Sequence, residues 1–340
     1  MPWESRHYNA LVHIDTSAPT RVDLAGGTID IWPLYLFHSD AQTIHFAISL
    51  RAHARLSARA DGRVAIESRD TGARVEADGP TGLHAAPGMA LLGRLVEHFA
   101  PRGITLTTHG ESPAGAGIAG SSAMNVAVCA GLARWCRMTI DPELLLSLAM
   151  NVEAQAIAVP TGLQDFRPAM FGGIAALELT ESGARRVPLD VNAAELTRRI
   201  VLAYTGEPRQ SGTNNWEIYK RHIDGDRRVF DAFERIRDTA AALRRALERE
   251  DWDEIGRQIA AEWENRKRLA PGVTTPAVDG LIDRAMHAGA TAAKVCGAGG
   301  GGCLICYAAP ADVPAVREAL HAGGARVLEY RIETEGLRFG

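Results

Sequence analysis

The sequence predicts an α+β protein of two domains, residues 1–185 and 186–340. Three observations predict it. The 340 residues amount to about two domains at roughly 100 to 200 residues each. The first half mixes half-buried strand patterns with a few helices, while the second sets strands and helices around a long helical insertion. The texture changes after about residue 185, where Val187, Pro188 and Asp190 give a weak linker signal.

The elements follow in order. Val64 and Ile66, then Ile104 and Leu106, alternate with polar neighbours as half-buried strands do. Leu91, Leu92, Leu95, Val96 and Phe99 share one helical face, and Pro101 closes that segment. A second helix opens near Ser121 and runs to about Trp135. A third has Pro142 in its first turn, carries Leu144, Leu145, Leu148 and Val152, and stops before Pro160. The apolar run Ile174 to Leu179 reads as a buried strand, and Ile200 to Tyr204 as another. Arg227 to Leu269 is helical, with an apolar stripe of Phe230, Phe233, Ile236, Leu243 and Leu247. Thr291 to Cys296, Cys303 to Tyr307 and Ala325 to Ile332 read as strands, with helices from about Pro276 and Ala311 between them.

Composition excludes several classes of function. Hydrophobic residues at 46% and charged residues at 23% are ordinary globular usage, which rules out wholesale disorder. Lysine and arginine number 37 against 41 acids, so there is no basic field for nucleic acid or anionic lipid. No run of about 18 apolar residues occurs, and Met1 to His13 has no apolar core, so neither a membrane span nor a signal peptide is expected. The five cysteines are odd in number and sparse, making a reduced cytoplasmic compartment the default. Cys303-x-x-Cys306 has no second pair to complete a zinc site and reads as part of a strand. Glycine, at 34, is clustered, and that asks where backbone must approach something closely.

Two glycine clusters carry the functional argument. Pro113-Ala-Gly-Ala-Gly-Ile-Ala-Gly-Ser-Ser-Ala123 lies between a strand pattern and a helix. Such a turn aims unpaired N–H groups and the positive end of the helix dipole at one point, which suits a phosphate. Lys294-Val-Cys-Gly-Ala-Gly-Gly-Gly-Gly-Cys303 leaves bare backbone between two strands. Either alone is explained by a tight hairpin; both together indicate a polyphosphate ligand. Gly115, Gly117 and Gly120 also satisfy the dinucleotide fingerprint, with Asp141 about 20 residues further on, so an NAD-dependent oxidoreductase is one alternative. Against it, Ile104 to His109 alternates with Thr and His, unlike a central parallel strand buried on both faces. No Walker A loop is present.

A bound nucleotide calls for metal ligands and a base nearby. Magnesium takes oxygen ligands and keeps several waters, so a hydroxyl from Ser122 and a carboxylate from Glu153 would suffice. Asp165 follows in a turn-rich stretch, Gly162-Leu-Gln-Asp-Phe-Arg-Pro-Ala-Met-Phe-Gly-Gly173, where a buried acid needs a partner such as Arg21 or Arg167. The bland alternatives are a solvated helix face for Glu153 and a turn or cap acid for Asp165.

These residues resemble the GHMP kinases (galactokinase, homoserine, mevalonate and phosphomevalonate kinases) from about Ala18 to Cys303. Pro19-Thr-Arg-Val-Asp-Leu-Ala-Gly-Gly-Thr-Ile-Asp30 is similar to the family's N-terminal motif, in the wording of its fucokinase and heptose-7-phosphate 1-kinase branch. The 113–123 loop resembles the family's phosphate loop and the 294–303 loop its third motif. Gly162-x-Gln164-Asp165, with Glu153 twelve residues upstream, matches the sugar-1-kinase branch.

The resemblance implies two α+β lobes with ATP and substrate in the cleft between them. The N-terminal lobe would be like domain 2 of ribosomal protein S5, and the C-terminal lobe ferredoxin-like with a helical insertion. It implies that Asp165 takes the proton from the attacking hydroxyl, that Arg21 keeps it ionised, and that Ser122 and Glu153 hold Mg²⁺. ATP would lie on Pro113, Gly115, Ala116, Gly117, Gly120, Ser121, Ser122, Ala123, Gly299 and Gly300. A sugar or sugar phosphate, taken at its anomeric hydroxyl, would meet Gly27, Thr28, Asp30, Gly162, Gln164, Arg209, Gly297 and Ala298. Arg209 reads otherwise as an exposed loop arginine, and Arg167 is expected to pair with an acid. A catalytically silent sugar-sensing protein is the other alternative. Either a monomer or a homodimer is compatible with the sequence.

Overall fold

The structure, a computed structural model, describes residues 13–208 and 211–340. In chain order the elements are β1 (His13–Ala25), β2 (Gln42–Ala58), β3 (Val64–Ser68), β4 (Arg74–Ala77), α1 (Ala90–Phe99), β5 (Ile104–Gly110), α2 (Gly120–Trp135), α3 (Pro142–Ile157), α4 (Phe166–Phe171), β6 (Ile174–Thr180) and β7 (Gly183–Pro188). The second half continues with α5 (Ala193–Arg199), β8 (Ile200–Tyr204), α6 (Ser211–Ile223), α7 (Arg227–Glu248), α8 (Trp252–Lys267), α9 (Pro276–His287), β9 (Ala290–Val295), β10 (Cys303–Ala308), α10 (Val313–Ala322), β11 (Arg326–Leu328) and β12 (Arg338–Phe339).

Local chemistry sets several boundaries. The Asp141 carboxylate accepts the Glu143 and Leu144 N–H groups, and Pro142 follows it, so α3 starts where the sequence places it. The helical stretch expected over 227–269 is two helices. Glu250 turns left-handed at φ 53°, and the Asp251 carboxylate then accepts the Glu254 N–H to start α8. The strand expected over 325–332 is only three residues long as β11, because the chain leaves that sheet and Ile332 bridges to Ile48 instead.

The larger sheet has eight strands with β2 as its spine. Seventeen residues long, β2 pairs with β1 along one edge; along the other, its start pairs with β6 and its end with β5. Only β3 and β5 run parallel, so the sheet is not doubly wound. The dinucleotide fingerprint therefore lacks the parallel framework that would make it one. The smaller sheet runs β11-β8-β10-β9, antiparallel throughout. Counted along the chain that is the fourth, first, third and second strand, the ferredoxin-like order, with α6–α9 inserted after the first.

Two apolar clusters fill the lobes. One packs α1, α2 and α3 on the large sheet, and the other packs α7, α9 and α10 on the small one. A third joins them: Val22, Leu24, Ile44, Phe46 and Ile48 pack with Leu202, Cys303, Ile305, Leu243 and Ile259. No helix of the described residues is long and apolar enough to cross a membrane.

Candidate active site

The site is built on the end of β1. Val22 and Leu24 enter the core between the lobes, so strand alternation sends Arg21 and Asp23 to the opposite side. Both are buried, and both find charged partners. Arg21 Nε and Nη2 donate to Asp165 Oδ1 at 3.0 and 2.5 Å. Its Nη1 donates to Asp23 Oδ1 at 3.2 Å and to the Gly117 carbonyl at 3.0 Å. The Arg21 backbone N–H donates to the Ile118 carbonyl at 3.0 Å, so main chain and side chain together hold the 113–123 loop. Burial opposes the guanidinium's charge, but Asp165 and Asp23 outweigh it and raise its pKa. Arg167, the other expected partner, lies elsewhere: its Nη2 donates to Glu143 Oε2 at 2.8 Å.

Asp165 immediately precedes α4, whose first residue, Phe166, is buried in the lobe core. The carboxylate keeps 22% of its side-chain surface open while Arg21 beneath it keeps 1%. Both arginine donors fall on Oδ1. The segment before it is pinned to the Asp30 loop: Gly162 bridges Ile31, and the Gln164 N–H donates to Asp30 Oδ2 at 2.8 Å. A Cβ on Gly162 would stand 2.8 Å from the Asp30 carboxyl carbon, a close approach that only glycine permits. Asp30 is buried; desolvation first and the charge of Asp165 second push its pKa up to about 6.

Ser121 and Ser122 stand in the first turn of α2 and both donate to Glu153 on α3, to Oε1 at 2.5 Å and to Oε2 at 3.0 Å. Glu153 is buried, not on a solvated face. Two hydroxyls and a carboxylate are the hard oxygen donors that Mg²⁺ takes. Among the described residues no cluster of three or more His, Cys, Asp and Glu could hold a metal, so an ion here would complete its shell with water and phosphate oxygens. The donor set fits that demand.

The two glycine loops meet. The Cys303 N–H donates to the Ala116 carbonyl at 2.6 Å, and the Gly300 N–H to the Val273 carbonyl at 2.8 Å. Gly299 and Gly300 have φ of 86° and 77°, and Gly115 and Gly117 of 68° and 76°, conformations that L side chains rarely adopt. Pro113, Ala116, Gly120 and Ala123 complete the first loop and the start of α2, with Gly120 against Ser112 Oγ. Gly297 is gripped at both ends of its residue: its N–H donates to Asp23 Oδ1 at 2.9 Å and its carbonyl accepts from Arg266 Nη2 at 2.5 Å. Ala298 is buried beside it, and a Cβ added to Gly27 would stand 2.2 Å from Arg266 Nη1. Thr28, buried with φ 75°, carries the chain on toward Asp30.

Arg209 lies outside the described residues. Of the other expected residues, hydrogen bonds join Arg21 to Asp165 and Gly117, Gln164 to Asp30, and Ser121 and Ser122 to Glu153. Sequence reasoning missed Asp23, Lys294 and Arg266. Lys294 Nζ donates to Asp23 Oδ2 at 2.7 Å and to its carbonyl at 2.8 Å. Burial alone would raise the Asp23 pKa, but Lys294, Arg21 and Arg266 hold it well below the carboxylate range. The available signal was an acid two residues after Arg21 in a strand otherwise bound for the core.

A two-lobed α+β fold with glycine loops converging between the lobes is the architecture of a small-molecule kinase. Known proteins bear this out. The GHMP kinases N terminal domain matches residues 89–173, and the GHMP kinases C terminal domain matches residues 243–326. D-glycero-alpha-D-manno-heptose 7-phosphate kinase of Campylobacter jejuni is 28% identical over 96% of this chain and 98% of its own. L-fucokinase/L-fucose-1-P guanylyltransferase of Bacteroides fragilis is 24% identical over 94% of this chain, which spans 38% of that longer protein. The crystal structure of a D-glycero-D-manno-heptose 1-phosphate kinase from Bacteroides thetaiotaomicron superposes with a TM-score of 0.77 at 22% identity, over 96% of this chain and 98% of that one. The chain belongs to the GHMP kinase family and is a phosphotransferase with an alcohol group as acceptor.

Proposed function

We propose that this protein transfers the γ-phosphoryl group of ATP to the anomeric C1 hydroxyl of a sugar or sugar phosphate, with Asp165 as the base. The similarity to a heptose 7-phosphate kinase over nearly the whole of both chains favours a phosphorylated sugar. One observation carries the mechanistic part: the guanidinium that grips the Gly117 carbonyl of the phosphate loop also holds Asp165 Oδ1. Base and phosphate loop are thus tied to one rigid group.

Phosphoryl transfer asks little covalent chemistry of the protein, and positioning with charge stabilisation dominates. The N–H groups of Gly115–Ser122 and the positive end of α2 would meet the phosphates. Arg21 holds Asp165 through Oδ1, so that Oδ2 can take the hydroxyl proton as the new O–P bond forms and ADP leaves. Asp30 and the Gly162–Gln164 turn would hold sugar hydroxyls. Ser122 and Glu153 would hold Mg²⁺, which neutralises charge on the phosphate oxygens. Action in the cytoplasm, as a monomer or homodimer, completes the proposal.

The test is ADP release across a panel of free sugars and sugar phosphates with ATP and Mg²⁺. Asp165→Asn should lower turnover on the best acceptor by about 10² to 10⁴ while ATP binding stays nearly intact, the usual effect of losing a general base. Near-normal turnover in that variant removes Asp165 from the role, and no ADP release with any acceptor overturns the kinase assignment.

A further inference from the structure

Asp165 does not stand on Arg21 alone. Behind Arg21 lies a buried chain of charges running from β1 into β9 and α8. Asp23 and Lys294 are fully buried, and Arg266 nearly so. Asp23 Oδ1 accepts from both Arg21 Nη1 and the Gly297 N–H, while Oδ2 accepts from Lys294. Burying such a set is costly and needs good geometry to be tolerated. An apolar pair would serve packing at least as well, so the network calls for a reason beyond stability. Its geometry supplies one. A guanidinium has five N–H donors in a fixed plane, and only one orientation of Arg21 lets Nη1 reach Asp23 and Gly117 while Nε and Nη2 face Asp165.

We propose that Asp23 and Lys294 are positioning residues for the catalytic base: Asp23 fixes the rotation of Arg21, and the Asp23–Lys294 pair sets how much of the Arg21 charge acts on Asp165. The same Asp23 oxygen holds Gly297, so the glycine loop of the second lobe and the base of the first share one anchor. The inference rests on the kinase reading given above. The charged and titratable groups around Asp165 and its arginine come from several elements. They are Arg21 and Asp23 on β1, Asp30 on the loop after it, His45 on β2, Arg167 on α4, Lys294 on β9, Cys296 just after it, and Glu262 and Arg266 on α8. Asp23 and Lys294 form a directly bonded pair of opposite charge, so altering both leaves the net charge of that set unchanged.

The signs of the two single changes are opposite. Removing Lys294 leaves Asp23 to draw Arg21 toward itself, so Asp165 holds its proton to higher pH. Removing the Asp23 charge gives Asp165 more of the arginine and makes it a weaker base on a looser support. The experiment measures kcat against pH for the full chain with ATP, Mg²⁺ and the fastest acceptor of the panel, in parallel with wild type and Asp165→Asn. Lys294→Met should raise the acid limb of kcat by about one pH unit. Asp23→Asn should not raise it, but should lower the plateau about tenfold with KM for ATP within about threefold. The double variant D23N/K294M should return the limb to the wild-type position while keeping the lower plateau. Damage to packing alone would lower activity in all three without separating the limbs.

A Lys294→Met limb that stays in place, or an Asp23→Asn plateau within twofold of wild type, overturns the proposal. Thermal melting decides which variants are folded. Where a single variant is not, the charge-neutral double decides: a wild-type plateau overturns the proposal, and a tenfold loss in kcat at constant KM for ATP supports it. An active wild type and an inactive Asp165→Asn with unmoved Asp23 and Lys294 variants refutes this inference alone. Wild type without turnover, or Asp165→Asn with normal turnover, refutes the kinase reading and this inference with it.

Discussion

Asp30 is a carboxylate placed where ionisation costs stability, and replacing it with asparagine makes that cost measurable. Its pKa rises from 3.8 to about 6, by burial and then by the charge of Asp165, while the Gln164 N–H offsets part of the rise. A shift of about two units at about 1.4 kcal/mol each corresponds to roughly 3 kcal/mol between protonated and ionised forms. The folded protein binds this proton more tightly than the unfolded chain does. The favourable contribution is therefore complete below about pH 4, falls as pH rises toward 6, and is absent above it. Asp30→Asn keeps the acceptor for Gln164 and removes the charge, at the expense of a buried amide N–H₂ needing partners. At pH 7 the variant should be more stable than wild type by about 1 to 3 kcal/mol, a rise of a few degrees in melting temperature for a chain of this size. The assay is urea unfolding of both proteins from pH 4 to pH 7. The difference should shrink to nothing or reverse by pH 4, while the proposed contact of Asp30 with the sugar predicts that ATP-dependent turnover at pH 7 falls. A variant less stable than wild type at pH 7, or a difference that does not change with pH, refutes the reasoning.

Glu153→Ala should move the Mg²⁺ dependence of turnover to higher concentration, since Ser121 and Ser122 lose the carboxylate they bond; an unchanged metal titration excludes Glu153 as a ligand. Gly302→Ala should raise KM for ATP and lower the melting temperature, because the residue has φ 81° and its Cβ would stand 2.8 Å from the Ala116 carbonyl; wild-type values for both would show that the loops do not need this approach. Arg21→Lys should lower kcat by about 10² or more, as an ammonium cannot reach Asp165, Asp23 and Gly117 together; a loss under threefold would mean that charge alone suffices.

Local patterns were legible where a face or a cap lies within a short stretch of chain. The first helix shows its face in Leu92, Leu95, Val96 and Phe99, all buried, and the third its start in Asp141 and Pro142. Cys303 and Cys306 are buried strand residues on β10, as their setting indicates. The long strands β1 and β2 were not legible. Each is buried on both faces over much of its length, so polar residues such as Arg21, Asp23, His45 and Thr43 interrupt the alternation that would mark it. The break between α7 and α8 was hidden for another reason: Arg249, Glu250 and Asp251 continue the charged helical texture, and only the cap at Asp251 ends it. For the candidate site, Asp165 pairs with Arg21, one of the two partners expected of it, and Glu153 bonds Ser121 and Ser122. Asp23 is held by Arg21, two residues away, and also by Lys294, 271 residues away, and no local pattern encodes that second pairing.

The placement of that pair follows from β1. The pairing of β1 with β2 shifts register between Pro19 and Thr20 and again between Asp23 and Ala25, which isolates Thr20–Asp23 as a short run opposite Ile48–His45. Bulges bend a strand and re-aim its side chains, and they gather near functional sites. Within this run a one-residue slip would exchange Val22 with Arg21 or Asp23. It would put a charge into the core between the lobes and an apolar side chain beside Asp165. The apolar contacts of Val22 and Leu24 with the second lobe therefore specify the same register that the charges require. A change weakening that core should be felt at Asp165 as well as in stability, because one strand, locked between two bulges, carries both the core contacts and Arg21.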